Sequence, residues 1–237
     1  MFAAIAISFA GAGQATAGAI SINFNGGTKQ LSSSTTAGVL NLDHWNNINS
    51  ANGSGVSLFD STGATNAATM TYSSKGTWDG ATAPQTSSAG TNVLYQGAVY
   101  GDPTTPVSVT VSGLTYASYE VYVYWGAGFN ASDIMGLTTP VGTFYSVSAT
   151  QNAGNATSLT QFTSTNSASP TAGDAGYSVF SWSGPSFTVS TLGGNIVTNQ
   201  IYGIQVNSVP EPSTFALLGL GALGFSIQAY RRRVSIV

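Results

Sequence analysis

The chain has 237 residues, of which only 5 are Lys or Arg and 8 are Asp or Glu, with no cysteine and a single histidine. So low a charge content, far below the usual quarter of residues, leaves no basic patch to neutralise phosphates and excludes nucleic acid as a partner. A disulfide framework, a thiol nucleophile, a thiolate metal site and a multi-histidine centre are excluded as well.

The first 19 residues, MFAAIAISFAGAGQATAGA, read as a secretory signal peptide. An apolar stretch from Phe2 to Ala12 is followed by small residues, and both Ala15-Thr16-Ala17 and Ala17-Gly18-Ala19 fit the small-x-small cleavage rule. The apolar run is shorter than the roughly 20 residues a bilayer span needs. The usual basic n-region is missing, and a buried N-terminal strand or helix is the alternative reading.

Residues 20–208 form one body of ordinary domain size, with no internal linker and no fixed repeat. Within it, Lys29 and Lys75 face Asp43, Asp60, Asp79, Asp102, Glu120, Asp133 and Asp174. A mildly acidic surface rich in Ser, Thr and Asn is extracellular in kind. Hydrophobic residues at 42% and aromatics at 11% argue against disorder.

Helical periodicity is nearly absent, and short β-branched or aromatic runs end at Gly, Asn, Asp, Ser or Pro. In chain order the predicted strands are Ile20–Phe24, Val56–Phe59, Ala68–Ser73, Val107–Val111, Tyr119–Trp125, Gly142–Ala149, Ser158–Thr163, Tyr177–Trp182, Ser186–Thr191 and Gln200–Val206. Val107, Val109 and Val111 alternate with Ser108 and Thr110, the pattern of a strand with one wet face. Tyr119–Trp125 carries apolar residues on both faces, which predicts a central strand. Gly184-Pro185 between Tyr177–Trp182 and Ser186–Thr191 predicts a hairpin. The fold class expected is all-β: an antiparallel β-sandwich, jelly-roll-like, with a β-solenoid as the alternative.

The tail is the most specific region. Val209-Pro210-Glu211-Pro212-Ser213 precedes an apolar run from Thr214 to Ala229, closed by Tyr230 and Arg231, Arg232 and Arg233. A helix over about 213–230 would reach about 27 Å, which matches a hydrocarbon core, with the arginines on the cytoplasmic side. Proline, glutamate and proline, then a Gly-rich apolar helix, then an arginine cluster: this order resembles the PEP-CTERM sorting signal of bacterial exported proteins. The resemblance covers about 25 residues and implies export, recognition by an exosortase-type membrane protease, and delivery to the cell surface or an extracellular polysaccharide matrix. On that match Pro210, Glu211 and Pro212 are the recognition residues. The helix and the arginines retain the chain in the membrane until it is processed. An ordinary single-pass anchor is the plainer reading. Gly219, Gly221 and Gly224 spell GxGxxG, but inside a bilayer-length run they read as helix-packing residues rather than a dinucleotide loop.

A second resemblance covers most of the body. Ser21-Ile22-Asn23-Phe24, Trp45-Asn46-Asn47, Val109 to Leu114 leading to Tyr119–Tyr124, and Ile201 to Val206 look similar to secreted planctomycete-type proteins with a jelly-roll-like domain of unestablished activity. It supports the fold and carries over no catalytic residue.

No catalytic constellation emerges. His44 has only its neighbour Asp43 as a nearby carboxylate in sequence, no GxSxG elbow exists, and no spacing singles out a carboxylate pair with Glu120 for glycoside hydrolysis. The reading is non-enzymatic, with no cofactor. Structural calcium is the one metal that Asp79, Asp102 and Asp133 with neighbouring oxygens would suit, although no calcium-loop motif is present, and plain turn formers are the alternative. Asn52, Asn130 and Asn155 start sequons that carry little weight here. The best functional lead is aromatic. Sugars stack on Trp and Tyr faces, so Trp45 and Trp78, in loop-like contexts, and Tyr122 and Tyr124, on an outward strand face, are candidates for binding extracellular polysaccharide. Core packing is the alternative for each.

Overall fold

The computed structural model describes residues 18–80, 86–127, 134–148, 156–192 and 199–209. They form two mixed β-sheets and one short helix, Ala89–Leu94 (α1). The first sheet runs Thr160–Gln161 (β11), Gly176–Trp182 (β13), Tyr119–Ala127 (β8), Asn199–Ser208 (β15), Ile20–Phe24 (β1) and Asn46–Ile48 (β2). Gly97–Gly101 (β6) also pairs with β15, and Gly76–Asp79 (β5) pairs with β6. The second sheet runs Thr171–Ala172 (β12), Gly142–Val147 (β10), Ile134–Thr139 (β9), Ser186–Thr191 (β14), Ser108–Ser112 (β7), Thr65–Ser73 (β4) and Gly53–Phe59 (β3).

Period-two alternation builds the interior. In β7, Val109 and Val111 are buried while Ser108, Thr110 and Ser112 are not, and the Thr110 and Thr188 hydroxyls meet across the wet face at 2.8 Å. Ile22, Val121, Val123, Trp125, Phe180, Ile204 and Val206 of the first sheet join Met70, Val109, Val111, Leu137, Phe187 and Val189 of the second in one buried cluster. Each fully buried side chain of this size contributes about 1.5–3 kcal/mol. β8 lies between β13 and β15, the central position its two apolar faces predict.

Three expectations need correction. The sheets are not purely antiparallel: β1 with β2, β10 with β12 and β11 with β13 run parallel. In each such pair one partner is a two- or three-residue strand entering from a loop, so no hairpin fixes its direction. Gly184-Pro185 does not close a hairpin, because β13 pairs with β8 in the first sheet and β14 with β7 and β9 in the second. The turn instead carries the chain between sheets, and Phe180 meets Phe187 edge-on at 5.9 Å across the core. The solenoid alternative fails because most neighbouring strands are antiparallel, whereas solenoid coils stack parallel ones.

Residues 1–17 of the expected signal segment and the expected span at 213–230 lie outside the described residues. Among the described residues no helix is long and apolar enough to cross a membrane.

Candidate functional site

The outer face of the first sheet carries a second buried cluster, and it is made largely of tyrosine and tryptophan. Leu31, Ala37, Trp45, Leu94, Tyr95, Ala98, Tyr124, Ala175 and Tyr202 form it, with Trp78, Tyr122 and Tyr177 partly buried against it. Ser88 caps α1 by accepting from the Thr91 amide, which sets Leu94 and Tyr95 down on the sheet. A bulge in β15 between Ile201 and Gly203 adds Tyr202 on the outer side while Ile201 and Ile204 stay in the main core.

The chain from Ala37 to Trp45 is strapped across this face by side chains of the sheet and of α1. The Tyr124 hydroxyl accepts from the Val39 amide at 2.7 Å and donates to Gln205 Oε1. Gln205 Nε2 donates to the Ala37 carbonyl, and the Gly38 amide donates to Thr91 Oγ1. Tyr95 donates to the Gly176 carbonyl at 2.8 Å. Burial holds the Tyr95, Tyr124 and Tyr202 hydroxyls well above the ordinary tyrosine range.

Trp45 is 2% exposed and its indole N–H donates to the Leu42 carbonyl, so its ring is packed inside the protein. The neighbouring asparagines are also used internally. Asn46 Nδ2 donates to the Ser21 and Phe59 carbonyls, its Oδ1 accepts from the Phe59 amide, and Asn47 donates to the Leu31 carbonyl. Tyr124 is fully buried. These two sequence candidates therefore lack a free ring face, because Trp45 is the buried end of the 37–45 strap and Tyr124 lies under that strap. Trp78 stands half-buried on β5, with β6 and β15 between it and β8, so it does not adjoin Tyr122.

Tyr122 is the candidate left at the rim, and the sequence reading missed its partner, Tyr177. Their rings lie 6.3 Å apart and nearly parallel, at 27°, and Tyr177 touches Tyr124 at 6.1 Å. The Tyr122 hydroxyl donates to Glu120 Oε2 at 2.9 Å, and burial, then Glu120, push it up to about 12. The amide of exposed Val39 rests on the Tyr124 hydroxyl. The signal for Tyr177 was present: it alternates with Val179 on the face opposite Ser178 and Phe180, and it sits in register with Tyr124.

The carboxylates are dispersed. Asp79 takes the Thr28 hydroxyl and lies 3.9 Å from Lys29 Nζ; Asp102 pairs with Lys75, which holds its carboxyl well below the usual range. They occupy opposite ends of the β5–β6 ladder. Asp133, Asn130 and Asn155 lie outside the described residues. Among the described residues no three His, Asp or Glu side chains approach closely enough to hold a metal ion. The Asp43 carboxylate does meet His44 Nδ1, at 2.9 Å, which adjacency in sequence had not led us to expect.

Residues 208–233 match the family model of the PEP-CTERM protein-sorting motif. The chain is thus a PEP-CTERM-containing exported protein, handled by an exosortase membrane enzyme and anchored to the membrane before processing. Neither the curated proteins nor the solved structures yield a match to it. Pro210, Glu211, Pro212 and Arg231 to Arg233 fall within the matched stretch and outside the described residues. The match begins at Ser208, the last residue of β15, and the Val209 amide still donates to the Ser118 carbonyl at 3.0 Å.

Proposed function

We infer that this is a non-enzymatic component of the bacterial cell surface or extracellular matrix. Its two sheets pack as a jelly-roll-like sandwich, and the C-terminal signal delivers that body outside the cell. The observation that carries this reading is the junction at Ser208: the sorting motif begins where the last strand ends, so the folded body as a whole is the motif's cargo. The test is fractionation of cells with and without their exosortase. The chain should reach the surface or matrix fraction in its processed form, and Glu211→Ala or loss of the exosortase should leave it unprocessed in the membrane. Full-length chain found soluble in the cytoplasm would overturn the reading.

Tyr122 and Tyr177 favour a second reading, a module that binds extracellular polysaccharide. Two adjacent rings at the rim of an apolar patch, with Glu120 bonded to one of them, offer stacking for a sugar and a polar group for its hydroxyls. Affinity electrophoresis of the full chain against the host's own polysaccharide tests it. Retardation lost in Tyr122→Ala and Tyr177→Ala supports binding at this patch, and unchanged mobility of the unsubstituted chain removes the reading. A glycoside hydrolase is third, since the hydrogen bond on Glu120 comes from the Tyr122 hydroxyl and not from a second carboxyl group.

A further inference from the structure

The N-terminal sequence offers two cleavage points, after Ala17 and after Ala19, and the fold distinguishes between them. Ala19 is fully buried, and its carbonyl accepts from the Ser61 amide at 2.8 Å. Ile20, also fully buried, opens β1 opposite Val206 of the central strand β15. A chain beginning at Ile20 would lose the Ala19 carbonyl and leave the Ser61 amide without that acceptor. It would also place a new ammonium group on a residue withdrawn from water, where an unpaired charge is strongly disfavoured.

Gly18 differs in each respect. It is only half-buried. A Cβ there would come 2.3 Å from the Tyr116 ring, which packs on the main core. Gly18 is therefore fitted to its place, and an ammonium at this position lies at the margin of the fold.

The geometry points to Ala17–Gly18 as the bond cut during export, giving a mature body that starts at Gly18 and keeps Ala19 as a core residue. This rests on the reading of the first segment as a signal peptide. The peptidase meets an unfolded chain, so the fold does not steer it. The preference lies in the sequence it reads, and the fold shows which product retains its buried parts.

The two cuts also differ in the residues they require. The rule reads the last residue before the cut and the one two before it, so a cut after Ala17 uses Ala15 and Ala17, and a cut after Ala19 uses Ala17 and Ala19. Ala15→Tyr thus blocks the first alone, and Ala15 lies outside the described residues. The experiment expresses the full chain in an exosortase-bearing bacterium and identifies the N-terminal peptide of the exported protein by mass spectrometry. The expected result is a Gly18 start in the unsubstituted protein, lost in Ala15→Tyr, whose chain is cut after Ala19 instead or accumulates as precursor. An Ile20 start in the unsubstituted protein, or an unchanged Gly18 start in Ala15→Tyr, overturns the inference and leaves export standing. An exported protein that keeps the Phe2–Ala12 stretch overturns the inference together with the signal-peptide reading, and a start from Gly13 to Ala17 overturns the inference alone.

Discussion

The two buried clusters solve the same problem with different residues. Between the sheets, aliphatic side chains interdigitate with phenylalanines and other aromatics, and the Trp125 indole N–H donates to the Ser178 hydroxyl at 3.1 Å. On the outer face of the first sheet, tyrosines dominate, and Tyr95, Tyr124 and Trp45 each direct a polar atom to a specific partner far away or in the strap. The first cluster depends on shape and transfer from water. The second adds a set of hydrogen bonds that fix where the 37–45 strap lies.

Substitutions test that contrast. Trp125→Ala removes a 1% exposed ring from the main core and is expected to cost about 3–5 kcal/mol in chemical denaturation. A loss under about 1 kcal/mol would mean the core collapses around the gap. Gly97→Ala pushes a Cβ to 2.4 Å from the Asn25 carbonyl carbon, where two backbones cross. About 1–3 kcal/mol is expected, since neither backbone yields as a side-chain tip does.

Tyr124→Phe keeps the ring and deletes the hydroxyl shared by Val39 and Gln205. The expected cost is about 1–3 kcal/mol, with amide exchange faster at Val39 and Gly38 and unchanged in β7. Uniform acceleration across both sheets would show that the strap is not a separate unit. Alkaline titration sharpens the same point. Burial raises the Tyr95, Tyr124 and Tyr202 values, whereas the unfolded chain titrates near about 10. The unfolded chain then releases its protons first, so stability is complete below about 10 and falls as pH rises further. Denaturation midpoints measured at successive pH values should decline over that range. The smallest effect expected is Tyr122→Ala, below about 1 kcal/mol in stability because the ring sits at the rim; its consequence should appear in polysaccharide retardation instead.

The contrast also explains what could be read from the chain. Strands such as β7 and β14 announce themselves because their valines and threonines alternate, and β1 and β14 begin and end where the pattern does. β2, β5, β6, β9 and β12 were missed. Asn46–Ile48 and Gly76–Asp79 carry polar or small residues whose strand state comes from pairing with β1 and β6, a tertiary effect absent from local pattern. The helix α1 was missed because six residues are too few for a period to show. At the candidate site, Tyr122 was visible as an outward residue of β8. The burial of Trp45 and Tyr124 was not, since the strap that ends in the one and covers the other is a loop held by Gln205, 165 positions away from Leu40.

One feature of the topology bears on mechanics. The sorting motif begins at the end of β15, which has β8 on one side and β1 and β6 on the other. Traction through the C-terminus therefore runs lengthwise along an interior strand. Against a grip on β8 or β13, where Tyr122 and Tyr177 sit, that traction is shear, and the rungs from Ser208 down to Asn199 bear it together. An edge strand pulled from its end would unzip one rung at a time. A tail rooted in the middle of a sheet shares a pull among all these rungs at once, in a chain that has no cysteine to cross-link it.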